Sequence, residues 1–406
     1  MTKPESRLLL LLIASIFINY IDRSNLSIAA PLLQEELALT NSQLGALLGA
    51  FFWTYAGVQL FGLAGWLADR YPVGWVFAIG FFIWSAATAV TGMVSGFTAI
   101  FAMRLIVGAG ESVAYPCYSK ILASEFPQHH RGFANALLDA GSKLGPALGT
   151  FLGGLMVARV GWRWFFIALG VGSLVWLIPW LYYMPRDRAA EAVAQHKGPP
   201  LAELLSKRSA WGTFAAHFCG NYYWFFLLTW LPTYLIRERK YSPDGMATVA
   251  SIAFLLMAIS TVAAGWWSDR RIRAGVSPTL ARKTVVGGGL IGSTIILPVA
   301  IVQNEAASIG LLLLACMSFG VYTSNHWAIT QTLAGPLAAG RWTSVQNGVG
   351  NLSGIAAAWL TGMVVENTGA FYLAFLLSAA VALLGAFFWT IVVGPVETVK
   401  WHAAES

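Results

Sequence analysis

Six charged side chains lie well inside long apolar runs in the first half of the sequence: Asp22, Arg23, Arg104, Glu111, Asp139 and Lys143. An ionised group at bilayer depth costs about 2.5–3.5 kcal/mol or more, so it persists where it is paired or faces a polar cavity, and it marks ion or substrate handling. Arg104, Gly108 and Glu111 recur at i, i+4 and i+7 and so share one helical face, with Gly108 leaving room for a helix or ligand. At about 1.5 Å per residue, Asp22 and Arg104 lie roughly 10–12 Å below the same surface, so an Asp22–Arg104 pair across two helices is expected. Glu111 is a turn or two deeper with no evident fixed partner, which suits a proton carrier. Arg23 projects about 100° around its helix from Asp22 and has no partner of its own; a free guanidinium facing a cavity calls for an anionic substrate. Asp139 and Lys143, at i and i+4, are spaced to neutralise each other. If Lys143 instead points into the cavity, the substrate carries a second anionic group or Asp139 is an extra titrating site.

The apolar runs of the second half carry no charge in their middle thirds. Their buried polar groups are neutral: Asn221, Asn325, His326, Gln346, Asn347 and Asn351. Ion handling is therefore expected in the first half, with hydrogen bonds and aromatic walls from the second. Trp53, Trp224 and Trp327 are candidate cavity walls.

These residues need twelve helices to position them. Apolar runs cover 8–31, 43–67, 72–93, 97–122, 132–157, 163–184, 210–236, 246–267, 284–303, 307–331, 343–365 and 370–393. Each is long enough to cross about 30 Å of hydrocarbon. Apolar residues make up 57% of the chain and charged residues 11%, against about 45–50% and 25% in soluble domains, and so few charges cannot cover a water-facing surface. The fold class is an all-α membrane protein. The first run is long, carries charges and lacks a small-residue cleavage site, so it is expected to remain as span one. The net charge of +7 follows topology. With both termini cytoplasmic, the inner segments hold sixteen Lys and Arg and the outer loops five, which is the positive-inside bias and not a nucleic-acid surface. Cys117, Cys219 and Cys316 all fall within spans and read as small apolar fillers.

The longest polar stretch, 185–208, divides the chain into a six-helix half over 1–184 and another over 209–406. The halves repeat. Gly65-Trp66-Leu67-Ala68-Asp69-Arg70 follows span two, and Gly265-Trp266-Trp267-Ser268-Asp269-Arg270 follows span eight, 200 residues on. Two six-helix pseudo-repeats about a shared cavity is the architecture such a repeat implies. The paired G-x-x-x-D-R loops resemble the signature loop of the major facilitator superfamily. That resemblance implies the major facilitator fold and casts Asp69, Arg70, Asp269 and Arg270 as conformational latches. The first loop departs from the pattern, with Tyr71-Pro72-Val73-Gly74-Trp75 where basic residues usually follow.

Asn19-Tyr20-Ile21-Asp22-Arg23 in span one, Arg104 through Glu111 in span four, and Thr229-Trp230-Leu231-Pro232 in span seven together resemble the anion:cation symporter family. Its members include proton-coupled carriers of sugar acids. The resemblance implies that Arg23 binds the substrate carboxylate, that Asp22 and Glu111 carry protons, and that Arg104 is their switching partner. Tyr20, Tyr55, Lys143, Asn221, Trp327, Asn347 and Asn351 would line the substrate cavity. No cofactor or metal is expected, protons serving as the coupling ion; the partners are a small organic anion and the lipid bilayer, and the functional unit is a monomer. Gly141 to Gly149 in span five is similar to a glycine–proline motif of proton-driven antiporters, which keeps export and organic-anion exchange open as alternatives to import. A membrane enzyme would need a nucleophile–base set or clustered metal ligands, and the six histidines are scattered. A channel would show charge rings or a filter motif.

Overall fold

The computed structural model describes residues 1–39, 41–185, 198–368 and 371–401; residues 186–197, which make up much of the inter-half linker, lie outside the described residues. The first half contains α1 (Lys3–Glu36), α2 (Asn41–Leu60), α3 (Leu63–Arg70), α4 (Val73–Thr91), α5 (Phe97–Glu111), α6 (Ala114–Glu125), α7 (Gln128–Leu174) and α8 (Leu177–Tyr183). A short α9 (Leu201–Leu205) precedes the second half: α10 (Arg208–Arg237), α11 (Pro243–Arg273), α12 (Pro278–Ser293), α13 (Ile296–Val299), α14 (Glu305–Thr323), α15 (His326–Thr368) and α16 (Tyr372–Phe387). A π-helical turn, Phe388–Val392, ends span twelve.

Among the described residues, eight helices are long and apolar enough to cross a membrane, or nine if the bent pair Ala46–Leu60 and Leu63–Arg70 is one span. The remaining three of the twelve are obscured by polarity and by kinks. The first part of α7 carries Asp139 and Lys143, and α10 carries His217 and Asn221. The apolar run Glu305–Val365 counts once although it contains two crossings. It turns back at Gly335, whose φ of 62° disfavours a Cβ, and Pro336 follows. Gly161 (φ 82°) divides α7 in the same way.

Each half has its own core. In the first, Phe77, Phe81, Trp84, Trp176 and Trp180 interlock, with Trp176 stacked on Phe81 at 4.2 Å and on Trp180 at 5.0 Å. The second is built around Tyr223, Phe226, Tyr234, Phe319 and Phe375. The outward faces present Phe61, Ile178 and Ile355, as a lipid-facing surface requires.

The halves meet at the face that carries both termini, through two matching contacts. Asp69 accepts the Gly340 and Arg341 N–H groups at 3.0 and 2.8 Å. Asp269 accepts those of Gly132 and Phe133 at 3.1 and 2.7 Å. Gly65 and Gly265 permit these approaches: a Cβ at Gly65 would run into the Gly340–Arg341 backbone, and one at Gly265 into Gly132 and Ala136. Arg70 and Arg270, expected as latch residues beside the aspartates, form no ion pair with them in this state. Both are exposed, and Arg270 rests over the Trp266 ring. The cations at the aspartates are Lys120, 3.4 Å from Asp69, and Arg282, 3.4 Å from Asp269. One helical step past the aspartate turns the side chain away from the opposing half, so the loop arginine cannot share its contact.

Two expected results follow. Gly65→Leu should hold the terminal face open, raising thiol labelling of a Ser119→Cys reporter in a cysteine-free background; unchanged labelling would contradict the packing described. Arg282→Ala should destabilise the protein by about 3–5 kcal/mol, because it strands the buried Asp269 carboxylate. Arg270→Ala should stay within about 0.5 kcal/mol. Thermal unfolding of the two variants makes the comparison.

Candidate functional site

Arg23 from α1 reaches Glu111 at the end of α5, Nε to Oε2 at 3.0 Å, with 18% and 0% of the two side chains exposed. This replaces two expectations, the unpaired Arg23 and the unpartnered Glu111. The expected Asp22–Arg104 ion pair is not formed. Asp22 faces its own half, where Asn25 donates to it at 3.3 Å, and Arg104 has no carboxylate within salt-bridge distance among the described residues. Arg104 remains under the electrostatic influence of both Glu111 and Asp22. Depth along the helices was comparable for the expected partners; the direction around α1 decided between them. Gly108 brings α5 against the Phe51 carbonyl of α2, so its missing side chain serves helix packing.

Aromatic rings enclose the Arg23 guanidinium: Tyr55 at 4.5 Å, Tyr20 at 4.9 Å and Phe51 at 5.3 Å from ring centroid to Cζ. Such rings hold a cation while leaving its N–H groups for an anion. Tyr20 shares a hydrogen bond with Tyr115 at 2.9 Å, and Tyr115 lies against Trp327 of the other half at 5.6 Å. Several buried polar atoms here make no hydrogen bond within 3.5 Å among the described residues, namely both amide atoms of Asn19, Asp22 Oδ2, Arg23 Nη2, Arg104 Nε and Glu111 Oε1, although Asn19 sits beside Glu111 and Thr88 beside Asp22. Buried polar atoms are normally satisfied, so such a cluster marks a place where protons, water or ligand are exchanged.

Lys143 and Asp139 form the ion pair that their spacing predicts, and Lys143 also approaches Thr323 of the opposite half at 3.5 Å and the Trp224 ring at 5.7 Å. The second half contributes Asn347, which donates to Tyr55 at 2.9 Å and to Gln59 at 2.8 Å, and Asn351, which donates to the Asn347 carbonyl at 2.7 Å. Asn221 meets His217 at 3.3 Å, and His217 packs on Trp327 and His326. Trp53 does not join this wall. It is 64% exposed, with its edge on Phe101, because it lies on the face of α2 away from Phe51 and Tyr55. Gly141, Gly145 and Gly149 pack on Ile16, Tyr20 and Ile21 of α1, a close helix contact.

Between this layer and the latches, Asn135 and Gln331 exchange two amide hydrogen bonds of 2.9 Å, and Thr343 donates to Ser119 at 2.6 Å. Among the described residues, hydrogen bonds between the halves run from the latches up to Tyr55–Asn347 and Lys143–Thr323. Sequence reasoning missed Tyr115, His217, Thr323, Lys120, Arg282 and the Asn135–Gln331 pair. Lys120 and Arg282 were legible as charges at the ends of apolar runs. The neutral residues carried no such signal.

The Major Facilitator Superfamily profile matches residues 12–358. The chain is 29% identical to the D-galactonate transporter of Escherichia coli O6:H1, over 96% of each protein. It is 31% identical to the "Probable galactarate/D-glucarate transporter" of Escherichia coli K12, over 98% of this chain and 96% of that protein. In fold it is similar to the transporter FucP in the outward conformation, with a TM-score of 0.71 at 14% identity over 94% of this chain and 98% of the other. With two pseudo-repeated halves, a charged site between them and a profile spanning most of its length, the chain belongs to the Major Facilitator Superfamily and is a membrane transporter, not an enzyme.

Proposed function

We propose that the protein is a proton-coupled symporter that imports a small organic anion, a sugar acid of the aldonate, aldarate or hexuronate type, by alternating access. The observation that carries this reading is the Arg23–Glu111 pair inside its aromatic enclosure. A guanidinium held by one carboxylate can accept another in its place, provided the first takes a proton. Protonation of Glu111 and arrival of the substrate carboxylate on Arg23 are therefore coupled, each favouring the other. Asp22 is the second acid near Arg104, and the two restore the charge balance when the carrier returns empty. Tyr20, Tyr55, Asn347, Asn351 and Asn221 supply hydrogen bonds suited to sugar hydroxyls. The names of the relatives, which specify galactonate and galactarate or glucarate, support a sugar acid.

The positive-inside bias supports cytoplasmic termini, the bacterial relatives support an inner-membrane location, and the functional unit is proposed as a monomer. In that orientation the latches close the cytoplasmic side and the site faces outward. Asp69 and Asp269 then act as latches that must release the Gly340–Arg341 and Gly132–Phe133 backbone before the site can face inward.

The test is uptake into proteoliposomes under an inward proton gradient, offering galactonate, glucarate, glucuronate, gluconate, lactate and glutamate separately. Accumulation of a sugar acid, abolished by a protonophore, is the expected result. Uptake only by exchange with preloaded anion, insensitive to the gradient, would replace the symporter with an exchanger.

A further inference from the structure

The ion pair Lys143–Asp139 has no part in the scheme built on Arg23, yet it is constructed the same way. In both, a buried or part-buried cation is held by one carboxylate of its own half and lies near an aromatic ring. The Lys143 side chain is 3% exposed and that of Asp139 is 16%. The ammonium does not end at its own helix. It reaches the opposite half, where Thr323 Oγ1 lies 3.5 Å away, and Thr323 is itself fixed by Thr261 at 3.0 Å and the Gly320 carbonyl at 3.1 Å. A buried pair of this kind is no more stabilising than apolar residues of similar volume, so stability alone does not account for it. A cation held between the moving halves by a displaceable carboxylate is suited to receiving a ligand anion.

We propose that Lys143, with Thr323 and the Trp224 face, is a second anion subsite, so that the preferred substrate is a dianion: a small acid with one carboxylate on Arg23 and a second carboxylate or sulfonate on Lys143. The proposal rests on the sugar-acid reading above and narrows it from sugar acids in general to those charged at both ends. Asp139 occupies the subsite in the empty carrier and gives way to the second anionic group, as Glu111 does for the first. A monoanion leaves the Lys143–Asp139 pair intact and gains nothing there.

The experiment compares galactarate with galactonate, which differ in charge at one end, using full-length protein for both binding and gradient-driven uptake. Wild type should favour galactarate by about tenfold or more, the value of one charge-assisted contact. Lys143→Gln should bring that ratio close to unity. The double variant Asp139→Asn with Lys143→Gln, which leaves no unpaired carboxylate, should do the same and covers the case in which the single variant does not fold. Equal use of the two acids by wild type, or a galactarate preference surviving in either variant, would overturn the subsite while leaving the sugar-acid reading intact. Binding of neither acid would overturn the sugar-acid reading, and the subsite with it.

Discussion

Arg23→Ala is expected to abolish substrate accumulation and to weaken substrate binding by about 30-fold or more. Truncating one partner of a buried, hydrogen-bonded charge pair costs about 2–5 kcal/mol, much of it from the charge left behind. Here the residue left behind is Glu111, which is fully buried and 3.0 Å from Arg23 Nε. The aromatic enclosure of Tyr20, Phe51 and Tyr55 would also lose the cation it surrounds. Arg23→Lys tests the contribution of geometry. An ammonium keeps the charge but cannot offer two parallel N–H groups to a carboxylate, so binding should recover only in part. Full activity in Arg23→Ala, measured by uptake and by isothermal binding, would show that the anion is held elsewhere in the cavity.

Glu111→Gln is expected to separate coupling from translocation. A neutral amide mimics the protonated acid, so the carrier should still bind substrate and exchange it across the membrane, but it should no longer concentrate it. The accumulation ratio under an inward proton gradient should fall to about unity, whereas wild type follows the gradient at a factor of ten per 1.4 kcal/mol of driving force. Counterflow in preloaded vesicles measures the retained exchange. If Glu111→Gln still accumulates substrate against a gradient, coupling belongs to Asp22 or Asp139.

The sequence was most informative where physical cost made a residue conspicuous. Charges at bilayer depth identified Asp22, Arg23, Arg104, Glu111, Asp139 and Lys143, and the structure pairs Arg23 with Glu111 and Lys143 with Asp139 while Asp22 faces its own half. The 200-residue repeat gave the pseudo-symmetry, and the observed backbone contacts of Asp69 and Asp269 follow it closely. Pairing was harder to read. Helical rise gives depth to within a turn, but the choice between Asp22 and Arg23 as the partner that crosses to α5 depends on the rotation of α1, which Gly145 and Gly149 fix by packing on Tyr20 and Ile21. Arg70 and Arg270 stand apart from the latch aspartates in this state for a related reason: adjacent positions on a helix face different neighbours. Neutral residues such as Tyr115, His217 and Thr323 cost little to bury once hydrogen-bonded, so nothing in the sequence distinguished them from ordinary core.

The most direct test of the account is proton movement driven by substrate alone. Proteoliposomes with a trapped pH indicator, equal pH on both sides and no membrane potential, are given an inward gradient of a sugar acid that the protein binds. Proton coupling through Glu111 predicts internal acidification that requires the substrate, is absent in Glu111→Gln, and is collapsed by a protonophore. Substrate entry with no change in internal pH would contradict proton coupling and leave an anion carrier whose Arg23–Glu111 pair does not move protons.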